Sequence, residues 1–137
     1  MTYQLNFKTA YDYDQQAADI NLPVMLRSGS IAWEATAKFD PGSTFCIFRR
    51  VVGESLGFDI ESGVPQWIST ATGSFLTYGH EATLNVLGIE TTATVYFAAE
   101  EHFPINVLGR VGWLNRVRLG LIDYDGRLFL SAYDDSD

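Results

Sequence analysis

Cysteine is almost missing. The only one, Cys46, stands in the apolar run Phe45-Cys46-Ile47-Phe48, so no disulfide forms within the chain and a buried, inert thiol is expected. That fits a reducing cytoplasm. Positive charge is scarce too: 9 Lys and Arg face 17 Asp and Glu, a formal net charge of -8, with no basic stripe. Nucleic acid is therefore not an expected partner, because tracking a phosphate backbone needs such a stripe. No apolar stretch approaches the ~20 residues of a membrane span, and Met1-Thr2-Tyr3-Gln4 lacks a charged n-region leading into an apolar core. A soluble, unexported, cytoplasmic chain is expected, with no membrane partner.

Metal and nucleotide signals are also absent. His80 and His102 are the only histidines, and neither has a second histidine or a cysteine at ligand spacing. Asp12, Asp14 and Asp19 lack the glycine and closing glutamate of a calcium loop, and no glycine-rich phosphate cradle precedes a helix. These acids, like Asp134, Asp135 and Asp137, read as solvated surface. No serine sits in a nucleophile-elbow pattern, and nothing near Cys46 activates a thiolate. No metal and no cofactor are expected.

What the chain does have is apolar surface: 47% of 137 residues are hydrophobic and 14% aromatic, enough for one core. A single domain over 1–137 is expected, with an N-terminal extension strand at about 1–27 and an acidic tail at 134–137. Short apolar or alternating runs punctuated by glycine predict strands at 3–7, 20–27, 31–39, 67–70, 75–87, 91–97, 119–122 and 128–131. Such spacing indicates an all-β barrel or sandwich. Asp125-Gly126 lies between two such runs and predicts a tight hairpin with positive φ at both residues, and Gly88 a second hairpin. Two segments look helical, Arg49 to Leu56 and Arg110 to Val117, each short and following a glycine-containing turn.

Two motifs stand out by their order. Phe39-Asp40-Pro41-Gly42-Ser43-Thr44 places an acid at the end of an apolar strand, followed by a glycine turn and hydroxyl residues. Later, Val107-Leu108-Gly109-Arg110 leads out of a second apolar strand. Alone, an Asp-Pro-Gly triplet marks a surface turn. In this order, across about Ile31 to Ser131, the pair resembles the retropepsin-like (clan AA) aspartic peptidases, in a single-lobed form with Asp-Pro-Gly-Ser replacing Asp-Thr-Gly-Ser or Asp-Thr-Gly-Ala.

The resemblance implies a closed acid-protease barrel with one or two short helices and a flap hairpin. It implies a catalytic Asp40 in an active-site loop with Pro41, Gly42, Ser43 and Thr44, the Ser43 hydroxyl bonding the outer carboxylate oxygen. It also implies a flap at Thr70, Ala71, Thr72, Gly73, Ser74 and Phe75, and a structural second motif at Val107, Leu108, Gly109 and Arg110, where the arginine steadies the loop or a dimer. Aspartic peptidases activate water between two carboxylates too close for both to ionise. One lobe supplies one, so the resemblance implies a homodimer acting on a peptide or protein substrate. Pro41 departs from the family pattern: it has neither hydroxyl nor N–H to brace the loops across the dimer axis. Two other functions stay open, a dimeric peptide-binding or assembly module without catalysis and a β-barrel carrier of a small hydrophobic ligand.

Overall fold

The computed structural model describes residues 1–136. The acidic tail expected at 134–137 therefore extends one residue, Asp137, beyond the described residues. In chain order the elements are β1 (Thr9–Asp12), β2 (Asn21–Ser28), β3 (Ile31–Phe39), β4 (Ile47–Phe48), α1 (Arg50–Ser55), β5 (Val64–Thr70), β6 (Gly73–Val86), β7 (Ile89–Ala98), β8 (Val107–Leu108), β9 (Val117–Ile122) and β10 (Arg127–Ala132).

Seven strands form one sheet in the order β2-β3-β8-β4-β7-β6-β5. A second pairing, Met25–Arg27 of β2 against Thr83–Asn85 of β6, rolls that sheet onto itself. The roll is a partial barrel: β5 hangs outside the closure, and β1, β10 and β9 make a separate three-stranded antiparallel sheet. Period-two alternation explains the core, since alternate strand residues face one side. Leu22, Val24 and Leu26 of β2 are fully buried, as are Leu84 and Val86 of β6, and all pack with Phe48, Phe97, Leu108 and Trp113. Each such side chain contributes about 1.5–3 kcal/mol through burial.

Three local expectations are corrected. Residues 3–7 alternate like a strand, yet the strand begins at Thr9. Thr9 faces Leu130 and β10 ends at Ala132, so the register runs out opposite Phe7 and residues 3–6 lie past the end of the sheet. The Lys8 N–H ends the pairing on the Ser131 hydroxyl at 2.8 Å.

The turn with two positive φ values is Leu87-Gly88 (53° and 88°), joining β6 to β7. At the Asp-Gly site only Gly126 is left-handed, at 63°, following a 3-10 turn over Asp123–Asp125. Contacts from β1's continuation stretch that loop. The Tyr13 hydroxyl donates to the Asp123 carboxylate, and the Gln15 amide donates to the carbonyls of Asp123 and Tyr124, each at 3.1 Å.

Helix α1 lies where expected, its Arg50 reaching Glu54 at 3.5 Å and Glu61 at 2.7 Å. The helix expected over Arg110–Val117 is only a 3-10 turn at Leu114–Arg116. Its first residues are drawn into a strand-like bridge instead: Val111 pairs in parallel with Phe45, and Arg110 and Val111 N–H donate to the carbonyls of Ser43 and Thr44 at 2.9 and 2.8 Å. Gly112, at φ 96°, then turns the chain out of helical geometry while Trp113 drops into the core.

Candidate functional site

Strand β3 delivers Asp40. Its last residues are tied on both sides, Lys38 N–H to Asn106 O at 2.8 Å and Phe39 N–H to Ile20 O at 2.8 Å, and Asp40 N–H donates to Leu108 O at 3.0 Å. The chain then turns sharply, with Ser43 N–H closing onto Asp40 O at 3.1 Å. Proline suits the second position of such a turn, because its ring presets φ and the turn needs no donor there. Gly42 N–H donates to Asp40 Oδ1 at 2.9 Å, and a Cβ on Gly42 would crowd that oxygen at 3.1 Å. The carboxylate is thus held by the backbone of its own loop.

Ser43 does something other than expected. Its hydroxyl donates to Phe45 O at 2.8 Å rather than to the Asp40 carboxylate, because the turn points it down the chain. The Asp40 Oδ2 lies instead 4.0 Å from Lys38 Nζ, which is also 3.5 Å from Asp19. Lys38 was not singled out from the sequence, although strand alternation puts residues 38 and 40 on the same side. Asp19, read as plain surface, is part of this charge group.

The second motif lies directly beneath the first. Val107 and Leu108 form β8, whose Lys38↔Val107 and Phe39↔Leu108 pairs run parallel to β3. Gly109 passes so close to the first loop that an added Cβ would sit 2.2 Å from Phe45 O, which no side chain permits. Arg110 is exposed, and its guanidinium has no ion-pair or hydrogen-bond partner among the described residues. The loop-steadying role expected of it within the chain falls to its backbone N–H.

Above Asp40 stands the β5–β6 hairpin. Thr70 pairs with Gly73 around an Ala71-Thr72 tip, and the Thr70 hydroxyl donates to Gly73 O at 2.9 Å. Residues 69–74 are exposed, while Phe75 is half-buried and stacks on Phe103 with centroids 4.7 Å apart. Hairpin and loops enclose a cavity of about 520 Å³. It brings together Asp40, Gly42, Ser43, Thr44, Thr70, Phe75 and Val107 of the expected residues. Leu108 and Gly109 lie buried below it, and Ala71, Thr72, Gly73 and Ser74 project at the tip. Phe45, Trp67, Phe103 and Ile105 also line it and were not picked out from the sequence as site residues.

Among the described residues, Asp40 is the only charged one on the cavity wall. One carboxylate can act as an acid or as a base at a given moment, so concerted acid–base work at this floor requires a second group. Cys46 is no candidate: it is fully buried, and burial pushes its thiol up to about 11 despite the offsetting Gly109 N–H at 3.4 Å. His80 is structural, its Nε2 bonded to Ile60 O at 2.9 Å and its ring stacked on Phe58, and His102 is exposed. No group of residues suited to hold a metal occurs among the described residues, and no helix there is long and apolar enough to cross a membrane.

No family model matches the chain, and no curated protein does. Among solved structures, the EIAV protease complexed with the inhibitor HBY-793 matches with a TM-score of 0.53 and 16% identity, over 67% of this chain and 82% of that one. The fold is retropepsin-like. At 16% identity the likeness carries the fold alone.

Proposed function

We propose that this chain is a homodimeric aspartic endopeptidase in which two Asp40 carboxylates, one from each copy, activate a water molecule. The observation that supports it most is the place of Asp40: the only charge among the described residues on a cavity of about 520 Å³, at the end of β3, beneath a hairpin. The hairpin is the flap of this reading, closing an extended peptide against the floor.

Two facing carboxylates repel strongly enough to share one proton. The ionised one takes a proton from water as the water oxygen attacks the peptide carbonyl carbon. The protonated one gives its proton to the carbonyl oxygen. Collapse of the tetrahedral intermediate breaks the C–N bond, and the leaving nitrogen takes up a proton from the dyad. The chemistry needs no metal or organic cofactor.

The test is peptide-library cleavage from acidic to neutral pH by the parent and by Asp40→Asn. An amide pair cannot deprotonate water, so cleavage is expected to vanish while fold and dimer persist. The parent is expected to show a bell-shaped profile, since one carboxylate must act as base while the other acts as acid. If the parent cleaves nothing at any pH, the reading fails as catalysis. A dimeric peptide-binding or assembly module then takes its place, a reading favoured by Pro41 and by a Ser43 hydroxyl already spent on Phe45 O. If Asp40→Asn unfolds the chain, Asp40 is a structural turn residue.

A further inference from the structure

We propose that a second cavity beside the cleft, between β3 and the turn that enters α1, takes an acidic side chain. The protein then selects peptides bearing Asp or Glu a short distance from the residues held over Asp40. This rests on the reading of the main cavity as a peptide site.

The second cavity has a volume of about 320 Å³ and carries two cations on its wall, Lys38 and Arg49, against one anion, Asp19. On a chain with a net charge of -8, that hollow reverses the prevailing sign. Asn106 holds the two segments that supply the cations. Its carbonyl accepts from Lys38 N–H at 2.8 Å, its side-chain oxygen accepts from Arg49 N–H at 2.8 Å, and its amide donates to Thr36 O at 3.1 Å. Backbone bonds thus set where both cations start, and their charged ends stay available.

Neither cation is committed. Lys38 Nζ lies 3.5 Å from Asp19 and 4.0 Å from Asp40, beyond the roughly 2.7–2.9 Å of a close charge-assisted hydrogen bond. Arg49 is exposed, and its guanidinium has no ion-pair or hydrogen-bond partner among the described residues. A planar guanidinium offers a carboxylate two parallel N–H donors, and the Lys38 ammonium adds a compact charge beside it.

The second cavity continues the first. Ile105 lines both, and Lys38 and Asp40 stand on the same side of the chain leaving β3. A peptide extended over Asp40 and past Ile105 therefore brings another of its side chains to Lys38 and Arg49. Side chains of an extended chain alternate, so one position of the peptide is served and its immediate neighbours point away. Solvent-exposed charges of this kind give roughly fivefold in affinity for Glu over Gln.

The probe is a set of fluorescein-labelled, alanine-based decapeptides with a central Leu-Phe pair, in which a single Glu or Gln replaces each flanking alanine in turn. They are titrated into the Asp40→Asn protein by fluorescence anisotropy, so that binding is read without turnover. At one position Glu is expected to bind roughly fivefold tighter than Gln, with no such ratio at the positions beside it. Arg49→Gln is expected to lower the ratio to roughly twofold, and Arg49→Gln with Lys38→Gln to remove it. Arg49→Lys keeps the charge and is expected to retain part of the preference. In about 1 M NaCl the ratio is expected to fall toward one, because charges are screened over about 3 Å there. Circular dichroism and thermal melting check that each variant folds. Equal affinity for Glu and Gln peptides at every position, or a Glu preference that survives the loss of both cations, would overturn the proposal and leave the peptide site standing. A Glu preference carried by Lys38 and Arg49 in a parent that never cleaves would sink the peptidase reading and leave the acid-binding cavity in place. If no peptide binds, the proposal falls, and cleavage by the parent then decides whether the peptidase reading falls with it.

Discussion

The floor and the roof of the cavity are built on opposite principles. On the floor, the Asp40 and Gly109 loops share hydrogen bonds from Asp40, Arg110 and Val111 N–H, at 2.8 to 3.0 Å. An added atom at Gly109 would meet backbone at 2.2 Å. At the roof, the tip over Ala71-Thr72 is exposed, and a Cβ on Gly73 would meet nothing within 4 Å. Close packing and committed amides fix a carboxylate in place. A tip that buries little can move at small cost. Under the proposed peptidase reading, a cleft that admits a chain and then holds it to an acid needs both.

The largest expected effect breaks the floor. Gly109→Ala forces backbone apart and is expected to cost on the order of 4 kcal/mol, read as the urea midpoint in chemical denaturation. Gly73→Ala, at φ 143°, meets only backbone strain and is expected to cost about 1–2 kcal/mol. Equal losses from the two would erase the contrast. Hydrogen exchange sharpens it without mutation: amides at 71–74 are expected to exchange orders of magnitude faster than those of Asp40, Arg110 and Val111. Uniform protection across both sets would show that the roof is as fixed as the floor.

The smallest expected effect concerns what the floor lacks. Pro41→Thr supplies a hydroxyl and an N–H, and in the proposed dimer is expected to tighten association by about 1 kcal/mol for each bond made. Sedimentation equilibrium measures this directly. Unchanged association would mean that another residue braces the two loops.

Much of this was legible in the sequence because it follows from local pattern. Strand β3 was expected at 31–39 and runs Ile31–Phe39, since alternation and β-branched or aromatic residues speak for themselves. The acid turn and the later glycine motif were both picked out by pattern, and the parallel pairing of β3 with β8 brings them together. What stayed hidden was set by partners distant in the chain. Residues 3–6 have the pattern of a strand but lie beyond the end of β10, and the segment from Arg110 lost its helix because Val111 bridges Phe45 and Gly112 turns left-handed. Leu87 rather than Asp125 took the left-handed turn position, against its own preference, because β6 and β7 pair to the last residue at Val86↔Ile89. At the site, Asp40 was readable and its surroundings were not. The 4.0 Å approach of Lys38, the Ser43 bond to Phe45 and the Phe75–Phe103 stack exist only once the sheet has rolled.

The burial of Cys46 has a practical meaning. Its sulfur lies 3.4 Å from Gly109 N and 3.6 Å from Val111 O, directly under the joined loops, and it is the chain's only thiol. Burial holds that thiol protonated at neutral pH as well as out of reach, so an alkylating reagent attacks only molecules whose loops have parted. The rate of labelling is then a clock for those partings, with one chemical mark per molecule. A peptide that bridges the loops would slow the clock, and the native chain carries it with no added probe.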